Sequence, residues 1–127
     1  MDNIDILIQM QAYAGAPTNN PSDASKITER TQESNLTGFS RQTPSIADAT
    51  VDQSIDCVPE ANTEYLMIFT DQTISIKLNG GSEAIILSPR ASGTKTFAFF
   101  NRGAVTSLTV SNSSGNIAKL DIIMASV

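Results

Sequence analysis

Histidine and tryptophan are absent from this 127-residue chain, and cysteine occurs once, as Cys57. Without histidine there is no Ser-His-Asp or Cys-His catalytic arrangement, and the commonest transition-metal ligand is missing. A single cysteine excludes both an intrachain disulfide and a Cys-based metal site within one chain. Cys57 sits on an apolar strand pattern, which reads as a buried, unreactive thiol. Aromatics make up 6% of the chain, so the core must be light, built of Ile, Leu, Val and Ala. No run approaches the ~18 apolar residues of a membrane helix. Basic residues are also few. The net charge of −5 and pI of about 4.4 oppose phosphate backbones and anionic lipid, so neither nucleic acid nor membrane is expected as a partner.

What is present divides into two unlike parts. "MDNIDILIQMQAYAGA" does not have a signal-peptide pattern, since Asp2 and Asp5 stand where basic residues belong. Ile4, Ile6, Ile8, Met10 and Ala12 alternate with Asp5, Leu7, Gln9 and Gln11, which suits a strand. A short helix is the rival reading. Gly15 to Ala47 is mostly Thr, Ser, Asn, Gln, Pro and charge, too polar to bury a core of its own. It reads as an extended arm with Ile27, Leu36 and Phe39 as spaced anchors; "PSDASKITERTQESN" has apolar spacing too sparse for more than a helical turn or two. The expected division is therefore 1–47, a strand plus polar arm, and 48–127, a folded domain. Ile4, Ile6, Ile8, Ile27, Leu36 and Phe39 are the residues expected to meet a partner.

From Asp48 the pattern is that of short strands. "TVDQSIDCV" puts Val51, Gln53, Ile55 and Cys57 on one face, and "TEYLMIFTD" is apolar on both faces, as a central strand would be. "TISIKLN" alternates Ile74, Ile76 and Leu78 with Thr73, Ser75 and Lys77. "SEAIILS", "GTKTFAFFN", "AVTSLTVSN" and "NIAKLDIIMAS" follow, the last with Ala118, Leu120, Ile122 and Met124 on one face. Turn formers separate them, including Asn79-Gly80-Gly81, a strong hairpin signal because Asn-Gly readily takes positive φ. About seven strands at such intervals predict an all-β fold: an antiparallel β-sandwich of jelly-roll or immunoglobulin-like plan with an extended N-terminal arm. A domain of ~80 residues without staples is marginal alone, so oligomerisation is expected. Leu66, Phe100 and Ile123 fall on second faces and suit either a subunit interface or a further core layer.

Chemistry is scarce. Asp52 and Asp56 share a strand face near Glu60 and Glu64, but a glycosidase needs a sugar cleft, and the aromatic platforms that line one are lacking. A solvated acidic face is the better reading. Asp52, Asp56 and Asp71 offer oxygen ligands for calcium without any known loop spacing. Asn79-Gly80-Gly81 lacks the following helix and Lys-Ser/Thr pair of a phosphate loop. Arg90, Lys95 and Arg102 are too few to grip a polynucleotide. The triplets starting at Asn35 and Asn112 read as chance glycosylation matches. No enzyme activity, cofactor or metal is expected.

"YLMIFTDQTISIKLNGG" and "LSPRASGTKTFAFFNRGAVTSLTVSNSSGNIAKLDIIMAS" resemble the β-domains of tailed-bacteriophage virion proteins. The resemblance covers Asp48 to Val127 and is one of pattern, so no functional residue is carried over. It implies a structural virion component assembled in the host cytoplasm. The expected form is a capsid decoration (cement) protein, a trimer bound to the major capsid protein or other virion proteins. A neck, collar or tail adaptor is the alternative within that class, and a carbohydrate-binding module the alternative outside it.

Overall fold

The β-branched alternation and the turn residues translate into strands throughout. The computed structural model describes residues 2–13 and 24–36 as backbone, and residues 38–57 and 63–126 in full. Among the described residues there is no helix. The chain forms two compact units, Met1–Leu36 and Thr37–Val127.

The first unit is a two-stranded antiparallel hairpin, β1 (Asp2–Tyr13) and β2 (Ala24–Leu36). The first strand thus pairs within its own chain, and the polar segment expected as an unpaired arm supplies its partner. Register places Ile4, Ile6, Ile8 and Met10 opposite Glu33, Thr31, Glu29 and Ile27. Directly opposed residues share a face of an antiparallel pair, so the apolar series of β1 forms one stripe of this ribbon.

The second unit holds β3 (Gly38–Gln42), β4 (Ser45–Ile46), β5 (Thr50–Ile55), β6 (Thr63–Thr70), β7 (Ile74–Leu78), β8 (Ile85–Leu87), β9 (Thr96–Val105), β10 (Leu108–Asn112) and β11 (Ala118–Ser126). One sheet has the order β5-β10-β7-β8; the other runs β3-β11-β6-β9, with β4 also paired to β11. All pairs are antiparallel. Four of the pairs are nested in sequence: β3 with β11, β5 with β10, β6 with β9, and β7 with β8. The unit is thus one long hairpin folded over, with β7–β8 as its innermost turn.

Seven strands fall between Thr50 and Ser126, each on a segment read as a strand from the sequence, although β9 runs on through the Asn101–Gly103 turn formers to Val105. The division of the chain differs from expectation, lying between Leu36 and Thr37 and not at 47/48. The reason is that β3 and β4 add to β11, and Ile46 is fully buried. A two-residue strand leaves no periodicity in a sequence.

Both sheets contribute to one core. Ile55, Ile74, Ile76, Leu87, Leu108 and Val110 come from the first, and Leu66, Ile68, Val105, Leu120, Ile122 and Met124 from the second. Leu66 is therefore core and not a subunit contact. The β7–β8 hairpin behaves as its pattern predicts, pairing Ile74 with Leu87 and Ile76 with Ile85. Asn79 and Gly80 have φ of 55° and 69°, the left-handed backbone an Asn-Gly turn supplies at low cost. Asn79 also ties the turn down: its Nδ2 donates to the Ala104 carbonyl (2.9 Å) and its Oδ1 accepts from the Thr106 N–H (2.7 Å).

Strand β5 departs from its expected face. Ile55 is buried, but Val51 is 78% exposed and Gln53 is exposed. The register against β10 shifts between Val110 and Asn112, and Asp52 has φ of 48°. This bulge breaks the two-residue alternation and turns Val51 out. Bulged, charged edges also resist pairing with other chains.

Candidate functional site

The carboxylates of Asp52 and Asp71 are tied into the fold. Asp52 sits at the bulge, where its carboxylate meets Lys77 Nζ at 3.1 Å and accepts from Ser111 Oγ. Asp71 is buried in the turn after β6, where it accepts the Lys119 N–H at 2.7 Å through Oδ1. Asp56 is exposed and offers its backbone carbonyl to Gln42 Nε2. Among the described residues no three acidic or Cys side chains cluster as a metal site. The calcium candidates Asp52, Asp56 and Asp71 are therefore not brought together. Glu60 lies outside the described residues. Cys57 is half-buried against the core, and burial, then the neighbouring Asp56 charge, push its thiol pKa up, which favours the inert protonated form.

A shallow depression of about 200 Å³ is lined by Asp52, Lys77, Gly80, Gly81 and Thr109. Two of its five lining residues are an ion pair, and none is aromatic. It has the makings of a solvated surface dip.

The surface with an unusual composition lies elsewhere, on the outer face of the five-stranded sheet. Register assembles three rows across β3-β11-β6-β9. The first is Phe39, Ala125, Tyr65, Arg102; the second is Arg41, Ile123, Met67, Phe100; the third starts at β11 with Asp121, Phe69, Phe97. Five of the chain's seven aromatic residues, counted as five Phe and two Tyr, are on this face. Phe39 and Phe97 are about half exposed, at 54% and 52%. Phe69 and Phe97 meet edge to face at 5.7 Å, and the Arg102 guanidinium lies 5.9 Å from the Tyr65 ring centroid.

An ion pair crosses this face. Arg41 Nε donates to Asp121 Oδ1 at 2.8 Å and Nη2 to Oδ2 at 2.6 Å, a bidentate geometry. These hydrogen bonds hold the Asp121 carboxyl below the usual carboxylate range against the opposing effect of its burial. A depressed folded-state pKa adds stability above the unfolded-state value, and that stability is lost as pH falls through the folded-state value. Acid unfolding should therefore be less steep between about pH 5 and the acid end in Arg41→Met than in the parent, as read by urea melts at successive pH values. Equal slopes would show that the pair carries no linkage.

Of the six residues expected to meet a partner, Ile4, Ile6, Ile8, Ile27 and Leu36 belong to the hairpin unit, and the first four share one of its faces. Phe39 belongs to the second unit, on β3. The sequence reading missed the aromatic face as a whole. Its only signal was the clustering of Phe in "GTKTFAFFN", which needs the register of β6 and β11 to become a surface. Comparison with protein-family models, curated proteins and solved structures returned no match for this chain.

Proposed function

We propose that the chain is a structural virion protein, a capsid decoration (cement) protein that binds the head shell through its N-terminal hairpin and acts as a homo-oligomer. The observation that carries this reading is the nested pairing. Numbering β3 and β5 to β11 from 1 to 8, the sheets have orders 1-8-3-6 and 2-7-4-5, and the neighbours 1-8, 2-7, 3-6 and 4-5 are paired. That is the strand order of a jelly-roll sandwich, an architecture shared by viral capsid and lectin domains. The inference from architecture to role is by analogy. It is supported by side chains that serve packing, and by a hairpin with one apolar stripe. A lone two-stranded ribbon is marginal in water, so such a stripe is most stable when laid against another surface.

The lectin alternative draws no support from the depression beside Asp52 and Lys77, which has no aromatic ring for a sugar to stack on. A neck or tail adaptor differs from a cement protein in copy number. Quantitative mass spectrometry of purified particles should find the chain in the hundreds of copies; a dozen or so would replace decoration by the neck or tail. Removing residues 1–36 should weaken binding to empty heads by a factor on the order of 1,000, since at least three apolar contacts of about 1.5 kcal/mol each would go. The remaining unit, which holds its own core, should still melt cooperatively. Unchanged binding would rule out the hairpin as the docking element.

A further inference from the structure

The aromatic face carries two kinds of side chain in a self-complementary arrangement. In its first row Phe39 stands on β3 and Arg102 on β9; in the second the order is reversed, with Arg41 on β3 and Phe100 on β9. β3 and β9 are the outermost strands of this face. A two-fold axis lying over the face, along the strands and between β11 and β6, exchanges the β3 and β9 positions and keeps each row. It therefore sets Phe39 against the second copy's Arg102 and Arg41 against its Phe100. Ile123 meets Met67 at the centre.

We infer that this face is the contact between two copies of the chain, packed sheet on sheet about a two-fold axis with four reciprocal arginine–phenylalanine stacks. Stacked sheets align within about 30° at a spacing of about 10 Å, which a two-fold running close to the strand direction satisfies. Arginine over an aromatic ring contributes most where water is excluded. Asp121 grips Arg41 edge-on with two hydrogen bonds, a geometry that leaves a guanidinium plane available for stacking. The patch left open is smaller than the ~800 Å² per partner of a standard interface, which suits a micromolar and not a tighter dimer. Aromatic and Arg enrichment is also the composition of interface cores. Tyr65 and Ala125 are already buried, so the contact falls on the outer members of the first row and on the second. The inference concerns the free protein and stands or falls apart from any role in a virion. It replaces the three-fold expected from the resemblance by a two-fold.

Sedimentation velocity on the full chain tests it. The parent should sediment as a dimer of about 27 kDa, twice the 13.5 kDa chain, at micromolar concentration. Phe39→Lys sets a cation against the second copy's Arg102, and Arg102→Glu removes that cation from above Phe39. Each should weaken the dimer at least tenfold. Combined, the two changes place opposite charges across the axis, and the dimer should return to within about threefold of the parent. Circular dichroism melts check that each variant folds; should Arg102→Glu unfold through loss of its Tyr65 contact, Phe39→Asp supplies the contrast with Phe39→Lys at the same exposed site. The acidic change should keep the dimer where the basic one breaks it. A monomeric or trimeric parent overturns the inference, as does a lysine variant that dimerises like the parent or a double variant without rescue.

Discussion

Replacing Ile122 by alanine should lower the stability of the second unit by about 3–4 kcal/mol, the upper-middle range for a large-to-small change in a sealed core. Ile122 is fully buried, central on β11, and flanked in register by Ile68 of β6 and Gln42 of β3. Because β11 is bonded on both sides, its backbone cannot easily close a cavity there. In a unit of this size each kcal/mol moves the midpoint by about 4–8 °C, so a fall of some 15–25 °C is expected by differential scanning calorimetry. Ile86→Ala is the matched control. Ile86 is 72% exposed on the short edge strand β8, and its loss should change stability by no more than about 0.5 kcal/mol. Equal effects at the two sites would mean that the two sheets do not share the core described.

A second large effect is expected at Asn112, a residue with no hydrophobic role. Its side chain is fully buried at the end of β10. Nδ2 donates to the carbonyls of Ile46 and Asn116 at 2.9 and 2.8 Å, and Oδ1 accepts the Ser114 N–H at 3.0 Å. It thereby joins the short β4, the following turn and the four-stranded sheet. Gly115 N–H donates to Asp48 Oδ1 at 2.8 Å in the same turn. Asn112→Ala should cost about 2–4 kcal/mol, because it strands buried partners as well as removing bonds. Asn112→Asp, nearly the same shape, should be no milder at neutral pH, since it points a carboxylate at two carbonyls that need donors. The charged form is disfavoured in the fold, so this variant's deficit should shrink as pH falls and the carboxyl becomes a donor. Urea melts of both variants at neutral and acid pH check the prediction. An aspartate variant as stable as the parent at neutral pH would contradict the hydrogen-bond assignment. Fully buried, the Asn112 amide is not presented to solvent as a glycan acceptor in the folded protein.

Much of the strand content was legible because two-residue periodicity is a local signal. The segments from Thr50 onward alternate or run apolar for physical reasons that act within five to nine residues, and the turn residues between them force φ values that only a few side chains accept. Ile74, Ile76 and Leu78, with Ala118, Leu120, Ile122 and Met124, were assigned to the right face on that basis. Where a local irregularity intervened, the reading failed. The bulge at Asp52 exposed Val51, and β4 was too short to leave a pattern although Ile46 is wholly buried.

The N-terminal hairpin was legible only in part. Alternation in β1 marked Ile4, Ile6 and Ile8 as a stripe, yet not that β2 would pair with it, because "ASKITERTQESNL" has no apolar series of its own. Pairing across a hairpin needs backbone hydrogen bonds, which every residue but proline supplies, so it leaves little trace in composition. The sequence alone determined a light, all-β, acidic chain without histidine chemistry. Tertiary structure alone decided that strands far apart in sequence nest as pairs, and that Phe39, Phe97 and Phe100 share one face with Arg41 and Arg102. The physical reason is that register between distant strands is set by burying all the apolar faces at once, a global condition that no local window contains.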